Sequence, residues 1–308
     1  MPAENHRLGW IGTGRMGYAL CVRLLKEGHD LWVYNRTRSK AEPLEELGAT
    51  VVDSPADLGE RDIVFTMVAG PKDVMEVTVG AQGVLSGDNR PGILVDSTTI
   101  DPATSDELRA AASELGTSII AAPVSGNAKV VKSGKLTVVA SGPRDSYDTV
   151  APYLEVFGRK VTYVGDVDQA RLVKLCHNLH LGVVAQSLAE VTVLAEASGV
   201  SRKDFLEFFN DSVMGSTFTR YKAPALVNLD WDPTFTWHLL RKDLELGLAT
   251  GRELNVPMHT AALVSQIVMD GIGRGMGDID FGALLEMQAA ASGRELKSEN
   301  EEVSDGLS

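Results

Sequence analysis

The sequence predicts an α/β domain built on a parallel sheet, followed by an all-α domain. Strand and helix patterns alternate over the first half of the chain, and strand patterns become rare after residue 165. One long apolar helical pattern, Leu172–Ser198, then dominates. We therefore expect a first domain over residues 1–165 and a helical domain over 166–292. Residues 293–308 are acidic and lack aromatic side chains, which predicts a disordered tail.

The expected strands of the first domain are short apolar runs, several of them rich in β-branched residues. In chain order they are Leu8–Ile11, Asp30–Tyr34, Thr50–Val52, Ile63–Val68, Ile93–Asp96, Ser118–Ala121, Leu136–Ala140 and Lys160–Val164. Helical patterns lie between them at Arg15–Glu27, Lys40–Leu47 and Pro102–Leu115. Alternating strands and helices form βαβ units, so we expect one parallel sheet that the last two strands close.

The second half is predicted to be helical. Leu172–Ser198 is far longer than an average helix and contains no proline. Further helices are expected at Arg202–Asn210, Arg241–Leu254 and Pro257–Asp270, among others. Because the long helix is apolar on all faces, one domain cannot cover it. We therefore expect it to contribute to the interface of a homodimer.

The composition limits the possible partners. The chain has 308 residues, of which 44% are hydrophobic and 23% charged, and its net charge is −13. This acidity argues against nucleic acid or an anionic membrane as a partner, although a local basic cluster can still bind a small anion. We expect no signal sequence and no membrane helix, which needs about 20 apolar residues. The two cysteines, Cys21 and Cys176, are far apart in apolar surroundings, which favours buried thiols and a cytoplasmic location.

A glycine-rich segment follows the first expected strand and opens the first helix. Its sequence, Gly12-Thr13-Gly14-Arg15-Met16-Gly17, has the pattern G-x-G-x-x-G. The glycines permit a tight turn and a close approach of a pyrophosphate to the helix N-terminus. A purely structural turn is the alternative, but the strand before and the helix after favour a Rossmann dinucleotide-binding domain.

The end of the second strand indicates which dinucleotide is bound. NAD-binding proteins usually place Asp or Glu here, about 20 residues after the glycines, to hold the ribose hydroxyls. This chain has Asn35-Arg36-Thr37 instead. Arg36 can bind phosphate oxygens in a bidentate manner. Solvated loop arginines are the alternative, but the missing acid favours NADP(H), with NAD as the second choice.

Lys174 and Asn178 lie one helical turn apart in the long helix, and alone such a pair would mean little. A partly desolvated lysine can protonate an alkoxide or accept a hydroxyl proton, because burial lowers the pKa of an ammonium group. Asn178 can orient that ammonium or the substrate. The turn Ser125-Gly126-Asn127 offers a hydroxyl and backbone amides to a substrate carboxylate. With the nucleotide loop, these residues predict hydride transfer to a small acidic substrate.

Five ordered motifs resemble the β-hydroxyacid dehydrogenase family, which includes 3-hydroxyisobutyrate dehydrogenase, tartronate semialdehyde reductase and glyoxylate/succinic semialdehyde reductase. The resemblance covers about residues 7 to 290. The motifs are Gly12–Gly17, Asp96-Ser-Thr-Thr99, Pro123-Val-Ser-Gly126, Lys174 with Asn178, and Lys242-Asp243-Leu244. Any one of them is weak, but the five in this order are highly specific.

The resemblance implies an NADP(H)-dependent enzyme that interconverts a small β-hydroxyacid and its semialdehyde or keto acid. It implies a Rossmann domain and a helical domain built on a long interdomain helix, in dimers or tetramers. Lys174 would be the general acid/base. The roles implied for other residues are substrate binding by Ser125, Gly126 and Asn178, nicotinamide and substrate contacts by Lys242, nicotinamide contacts by Thr99, and a place beside the adenosine ribose for Met67, Val68 and Ala69.

Some residues depart from the family pattern and bear on the substrate. Asn127 stands where the family commonly has a second glycine, so this turn carries an extra amide side chain. Lys129, Arg171 and Arg241 are basic residues near the motifs. We expect each to be solvated, although one turned inward would bind a second acidic group of the substrate.

Three alternatives are set aside on the residues themselves. An imine reductase shares this architecture but usually has Asp or Tyr in place of the lysine. A catalytically silent NADP-binding interaction module would lack Lys174 and carry basic or reader segments. The sequence Lys-x-x-His177-Asn also occurs in 6-phosphogluconate dehydrogenases, but those chains are much longer, so we do not expect decarboxylation. His177 and His180 lack a third ligand at a suitable spacing, so no metal is expected.

Overall fold

The computed structural model describes residues 6–307, so residues 1–5 and Ser308 of the ranges above lie outside the described part. It divides the chain into two compact units, one ending at Lys174 and the other beginning at Leu175. The division lies inside the long helix rather than at residue 165. The first turns of that helix bond to the first unit, through Ala170 to Ser141 and through Arg171 to Asp96.

The first unit alternates strands and helices as the sequence predicts. Its strands are β1 (Leu8–Ile11), β2 (Leu31–Tyr34), β3 (Thr50–Val51), β4 (Ile63–Thr66), β5 (Ile93–Asp96), β6 (Ser118–Ala121), β7 (Val124–Ser125), β8 (Thr137–Ala140) and β9 (Lys160–Tyr163). Its α-helices are α1 (Arg15–Lys26), α2 (Pro71–Thr78), α3 (Pro102–Glu114), α4 (Ala128–Lys132) and α5 (Arg144–Glu155). The segment 40–47, predicted to be α-helical, forms 3₁₀ turns at Arg38–Lys40 and Glu42–Leu47 instead.

Six strands form a parallel sheet in the order β3-β2-β1-β4-β5-β6. Leu8 of β1 is in register with Leu31 of β2 on one side and with Ile63 of β4 on the other. The strand order therefore reverses between β1 and β4. Ligands of open α/β sheets bind at such a switch point, outside the carboxyl ends of the strands. The Rossmann fold predicted from the sequence is confirmed.

The last two predicted strands do not close this sheet, and that expectation is wrong. β7, β8 and β9 form a separate three-stranded sheet, in which β7 runs antiparallel to β8 and β8 runs parallel to β9. β6 meets the end of β8 only at an isolated bridge between Ala121 and Ser141. Pro123, two residues after Ala121, has no N–H to extend the ladder, and the chain turns into β7 there.

The second unit is helical. The long helix α6 (Gln169–Ala197) enters it and is followed by α7 (Arg202–Asp211), α8 (Thr217–Asn228), α9 (Trp237–Glu253), α10 (His259–Gly273) and α11 (Leu284–Ala291). Trp237, Leu244, Val264 and Leu285 lie in its buried core. The sequence patterns missed α8, which contains Pro224 and is stabilised at its start by a capping box from Ser216.

Helix α6 is long and apolar enough to cross a membrane by length and composition alone. Half of its most apolar window is buried inside the structure. The core helix of a water-soluble protein has the same properties, so this single helix is weak evidence for a membrane span.

The segment 293–307 forms no helix or strand, but it is bound to the second unit. The carboxylate of Glu299 accepts hydrogen bonds from the backbone N–H groups of Arg202 and Lys203 at the start of α7. Leu296 and Val303 pack against the helical core. The predicted disordered tail is therefore wrong for these residues, because a helix N-terminus and an apolar surface both bind them.

Candidate active site

The glycine loop packs tightly between β1 and α1. Gly12 has a φ of 97°, and a Cβ atom there would lie 2.2 Å from the carbonyl oxygen of Met67. A Cβ atom at Gly17 would lie 1.9 Å from the carbonyl oxygen of Gly12. A Cβ atom at Gly14 would meet nothing within 4 Å. The first and third glycines therefore close the turn, whereas Gly14, at the N-cap of α1, borders open space.

Asn35 joins the glycine loop to the loop after β2. Its Oδ1 accepts a hydrogen bond of 2.9 Å from the backbone N–H of Thr13, and its Nδ2 donates to the carbonyl oxygen of Thr37 at 2.8 Å. Asn35 thus stabilises the glycine loop by hydrogen bonds, and its role is more than the absence of the charge that an Asp or Glu would bring. The hydroxyl of Thr13 is buried and has no hydrogen-bond partner within residues 6–307. That hydroxyl remains able to bind a ligand of the loop.

Arg36 lies at the surface with its side chain 78% exposed. Its Nη1 is 3.0 Å from Oδ1 of Asp73, in the first turn of α2. Arg38 next to it pairs with Asp53 at 2.5 Å. The sequence reasoning missed Asp73 because it lies far along the chain. An anion that binds Arg36 would have to compete with this carboxylate.

The other expected nucleotide contacts lie at the carboxyl edge of the sheet. Arg15 and Met16 form the first turn of α1. Met67, Val68 and Ala69 follow β4, and the backbone N–H of Val68 donates to the hydroxyl of Thr98 after β5 at 3.2 Å. Thr99 is half-buried beside it in sequence. These residues therefore follow the carboxyl ends of β1, β4 and β5, at the switch point of the sheet and beside it.

The predicted substrate turn starts in β7. Ser125 ends that strand, and Gly126 follows with a φ of 133°. Asn127 is the N-cap of α4, since its Oδ1 accepts from the N–H groups of Lys129 and Val130 at 3.0 and 3.1 Å. The oxygen of the extra amide is therefore committed to the helix, whereas Nδ2 has no partner among the described residues. The side chain of Lys129 is exposed, as expected.

Arg171 is not solvated, contrary to expectation. Its side chain is 3% exposed, and Nη1 forms an ion pair of 2.8 Å with Asp96, which is fully buried at the end of β5. A buried carboxylate is strongly destabilising without a cation, which explains the pairing. Arg241 lies on the surface of α9 and pairs with Glu245 at 3.2 Å.

The second unit brings Asn178 and Asp243 together, while Lys174 lies half-buried just before that unit begins. Asn178 Nδ2 donates to Asp243 Oδ2 at 2.5 Å, and Asn178 Oδ1 is 2.9 Å from His177 Nδ1. Lys242 Nζ lies 3.4 Å from the other oxygen of Asp243. Asp243 had no role assigned from the sequence, although it stands inside one of the five motifs. His177 has an exposed ring that contacts Asn178.

Over residues 6–307, no group of three or more His, Cys, Asp and Glu side chains could hold a metal ion. Both cysteines are free thiols. Cys21 is buried as expected, whereas Cys176 is exposed, so the expectation of a buried thiol is wrong there.

Comparison with known proteins assigns both units. The family described as the NAD binding domain of 6-phosphogluconate dehydrogenase matches residues 7–165. The family described as NAD-binding of NADP-dependent 3-hydroxyisobutyrate dehydrogenase matches residues 169–288. A probable 3-hydroxyisobutyrate dehydrogenase-like mitochondrial protein of Arabidopsis thaliana is 35% identical over 92% of this chain and 85% of that protein. The chain belongs to the β-hydroxyacid dehydrogenase family.

Other relatives of this β-hydroxyacid dehydrogenase agree with that assignment. Glyoxylate/succinic semialdehyde reductase 1 of Arabidopsis thaliana is 31% identical over 91% of this chain and 97% of that protein. The crystal structure of 3-hydroxyisobutyrate dehydrogenase from Salmonella typhimurium shares the fold, with a TM-score of 0.83 and 24% identity over 92% of this chain and 99% of that one. A protein named Psf3, in complex with NADP+ and 2-OPP, has a TM-score of 0.82 and 26% identity, covering 91% and 99% of the two chains.

The dehydrogenase is thus an NAD(P)-dependent enzyme that acts on CH–OH groups. The glycine loop fits a dinucleotide on its own geometry, because it leaves open space at Gly14 and a buried, unpartnered hydroxyl at Thr13.

Proposed function

We propose that this dehydrogenase uses NADP(H) to interconvert a small β-hydroxyacid and its semialdehyde or keto acid, with Lys174 as the general acid/base. The observation that carries the proposal is that Lys174 is half-buried between two fixed polar side chains of the same helix. Arg171, one turn before it, is held by Asp96, and Asn178, one turn after it, is held by Asp243.

The nucleotide would be held by the first unit. Backbone N–H groups at Gly14 and Arg15 and the hydroxyl of Thr13 suit a pyrophosphate at the N-terminus of α1. Met67 to Ala69 would border the adenosine ribose, and Arg36 would bind the 2′-phosphate of NADP(H). When bound, the cofactor supplies or accepts a hydride.

Lys174 would then move the proton that the hydride transfer requires. In reduction its ammonium donates a proton to the oxygen of the former carbonyl, and in oxidation its amine accepts the hydroxyl proton. Asn178 is a positioning residue in this scheme, since its own amide is bound by Asp243 and His177.

The substrate carboxylate would be bound by the turn after β7. The hydroxyl of Ser125 and the backbone amides of Gly126 and Asn127 are suitable donors, and Asn127 Nδ2 is a further donor without a partner in the described residues. Lys242 and Thr99 would contact the nicotinamide, and Lys242 also the substrate, as the family motifs imply.

The homodimer or homotetramer and the cytoplasmic location belong to the same proposal. The second unit exposes several large apolar side chains, among them Leu194 at 70%, Phe208 and Leu263. Exposed apolar surface of this kind favours a subunit contact. Light scattering of wild type and Leu194→Glu tests the subunit contact, and a monomeric wild type contradicts it.

A fluorescent fusion tests the proposed cytoplasmic location, which the free cysteines favour.

The test of the activity is oxidation of NADPH and NADH with a panel of substrates: glyoxylate, succinic, methylmalonic and tartronic semialdehydes, and one cyclic imine. Lys174→Ala should lower kcat by roughly two or more orders of magnitude, because general acid–base catalysis contributes about that much. Binding of NADPH, measured by fluorescence titration, should persist. Lys160→Ala, an exposed lysine of β9, is the matched control and should keep full activity.

The other outcomes separate the alternatives. Full activity in Lys174→Ala contradicts the role of Lys174. Turnover of the imine with no turnover of the acids would identify an imine reductase on the same fold. Binding of NADPH without any turnover would identify a silent interaction module.

A further inference from the structure

A buried ion pair lies one helical turn before Lys174. Arg171 Nη1 is 2.8 Å from Asp96 Oδ2 without the alignment of a hydrogen bond, and it donates to the carbonyl oxygen of Thr98 at 2.9 Å. Arg171 Nε donates to the hydroxyl of Ser105 at 2.8 Å. One guanidinium therefore binds the end of β5, the loop after it and helix α3.

The carboxylate of Asp96 is itself fixed. Its Oδ1 accepts hydrogen bonds from the hydroxyl of Thr66 at 2.6 Å and from the backbone N–H of Thr98 at 3.1 Å. Thr66 ends β4, and the hydroxyl of Thr98 binds the backbone of Val68 in turn. The partner of Arg171 thus belongs to the same strand ends that are proposed to hold the nucleotide.

Two further contacts hold the start of α6. The backbone N–H of Ala170 donates to the hydroxyl of Ser141 at 3.0 Å. Asp168 precedes the helix, and its Oδ1 is 3.1 Å from Arg171 Nε and 3.9 Å from Arg109 Nη1. Burial raises the pKa of the Asp168 carboxyl, and the charge of Arg171 opposes that effect. The two arginines and the two aspartates balance in charge.

A network of buried charges contributes little net stability to a fold. Apolar residues of similar volume are often as stabilising as a buried ion pair, because two charges must be desolvated. The charges add a defined orientation of the Arg171 side chain, because a guanidinium group can satisfy its acceptors in only a few arrangements. This orientation fixes the position of the first turn of α6, the helix that carries Lys174.

We propose that Arg171 and Asp96 are a positioning pair for Lys174. The pair fixes the start of α6, both along the helix axis and in rotation about it, relative to the carboxyl edge of the sheet. The inference rests on the proposed role of Lys174. Side chains three residues apart lie on neighbouring parts of one helix face, so a shift at Arg171 moves Lys174 with it. A displacement of about 1 Å at a catalytic group can cost about 100-fold in rate.

The test compares Arg171→Met, Arg171→Lys and the double variant Arg171→Met with Asp96→Asn. Arg171→Met should lower kcat by roughly 10- to 100-fold, with the Kd of NADPH within about twofold of wild type. Arg171→Lys keeps the charge but not the fork, and should recover part of the rate. The double variant leaves Asp96 uncharged, so its thermal midpoint should lie nearer to wild type while its kcat stays low.

A second readout needs neither turnover nor cofactor. Amide hydrogen exchange of the apo protein should accelerate at residues 169–176 in Arg171→Met. Arg61→Met is the control, because Arg61 is equally buried and pairs with Asp30, near the opposite ends of the strands. It should lower the thermal midpoint without changing kcat or the exchange of 169–176.

The failures are distinguishable. A wild-type rate in Lys174→Ala overturns the role of Lys174 and the positioning role with it. A defective Lys174→Ala together with wild-type kcat per folded molecule in Arg171→Met overturns the positioning role alone. Unchanged exchange at 169–176 in Arg171→Met, or an equal loss of kcat in Arg61→Met, also overturns it.

Discussion

Asp243 accepts a hydrogen bond of 2.5 Å from the amide of Asn178, and the two side chains are 2% and 3% exposed. Asn178 is held at its other end by His177. An amide bound on both sides has a fixed orientation, so Asp243 determines how Asn178 is presented on α6.

Removal of Asp243 should therefore reproduce the loss of Asn178. Asp243→Ala leaves the buried Nδ2 of Asn178 without its acceptor, which costs about 1–3 kcal/mol of stability, and we expect kcat to fall about tenfold or more. Asn178→Ala should have a similar effect, and the double variant should be little worse than either, because the residues act as one unit. Steady-state kinetics and thermal melts of the three variants measure this. Additive losses in the double variant would show that the two residues act separately.

Substitution of two glycines of the nucleotide loop, Gly17 and Gly14, should have different effects. Gly17→Ala places a Cβ atom 1.9 Å from a backbone oxygen and should lower the thermal midpoint markedly. Gly14→Ala meets no atom of the protein, so the fold should persist while NADPH binding weakens, because the pyrophosphate must approach there. Thermal melts and nucleotide titration of both variants separate the effects. Tight NADPH binding in Gly14→Ala would contradict a pyrophosphate at this position.

Arg36 and Asp73 should act in opposite directions on nucleotide choice. Arg36→Ala should weaken NADPH far more than NADH, because only NADPH carries the 2′-phosphate. Asp73→Asn removes the carboxylate 3.0 Å from the guanidinium and should tighten NADPH while leaving NADH nearly unchanged. Titration of both nucleotides against each variant measures the ratio. Equal effects of Arg36→Ala on the two nucleotides would remove the case for NADP(H).

The helical unit should lose stability in acid through one buried pair. Lys222 Nζ lies 2.7 Å from Asp280 Oδ1. Burial raises the pKa of Asp280, but the charge and hydrogen bond of Lys222, with further hydrogen bonds from Gly282 and Thr234, outweigh it and hold the pKa below its ordinary 3.8. A depressed pKa contributes stability that is complete above the unfolded value and is lost as the pH falls through the folded value.

Lys222→Met should lower the free energy of unfolding near neutrality by about 3 kcal/mol, since it leaves a buried carboxylate unpaired. The difference from wild type should shrink as the pH falls, because protonation of Asp280 removes the unpaired charge. Urea denaturation from about pH 3 to pH 7 measures both effects. Lys160→Met, at an exposed lysine, is the control. An acid dependence in Lys222→Met identical to that of wild type would contradict this account.

The features that the sequence predicts well are local. The strand, turn and helix around Gly12–Gly17 follow from residues within a few positions of each other, and so does the long helix α6. The features it missed depend on distant partners. Arg171 was expected in solvent because its partner Asp96 lies 75 positions earlier, at the end of strand β5, and no local pattern reveals a contact over that separation.

The same reason explains the other errors. Asp243 was overlooked because its partner Asn178 is 65 residues distant. The segment 293–307 has the composition of a disordered tail, and its order comes from Arg202 and the core it covers. Composition describes what a segment would do alone, and here the rest of the fold supplies the binding energy.

One contact of Arg202 can form only late in synthesis. Its buried guanidinium donates to the carbonyl oxygen of Lys297, which is 95 residues further along the chain. At about 5–20 residues per second, a ribosome needs roughly 5 to 20 seconds to supply that acceptor. Until then the guanidinium of Arg202 lacks that acceptor, so we expect the helical unit to gain its full stability only after residue 297 has been synthesised.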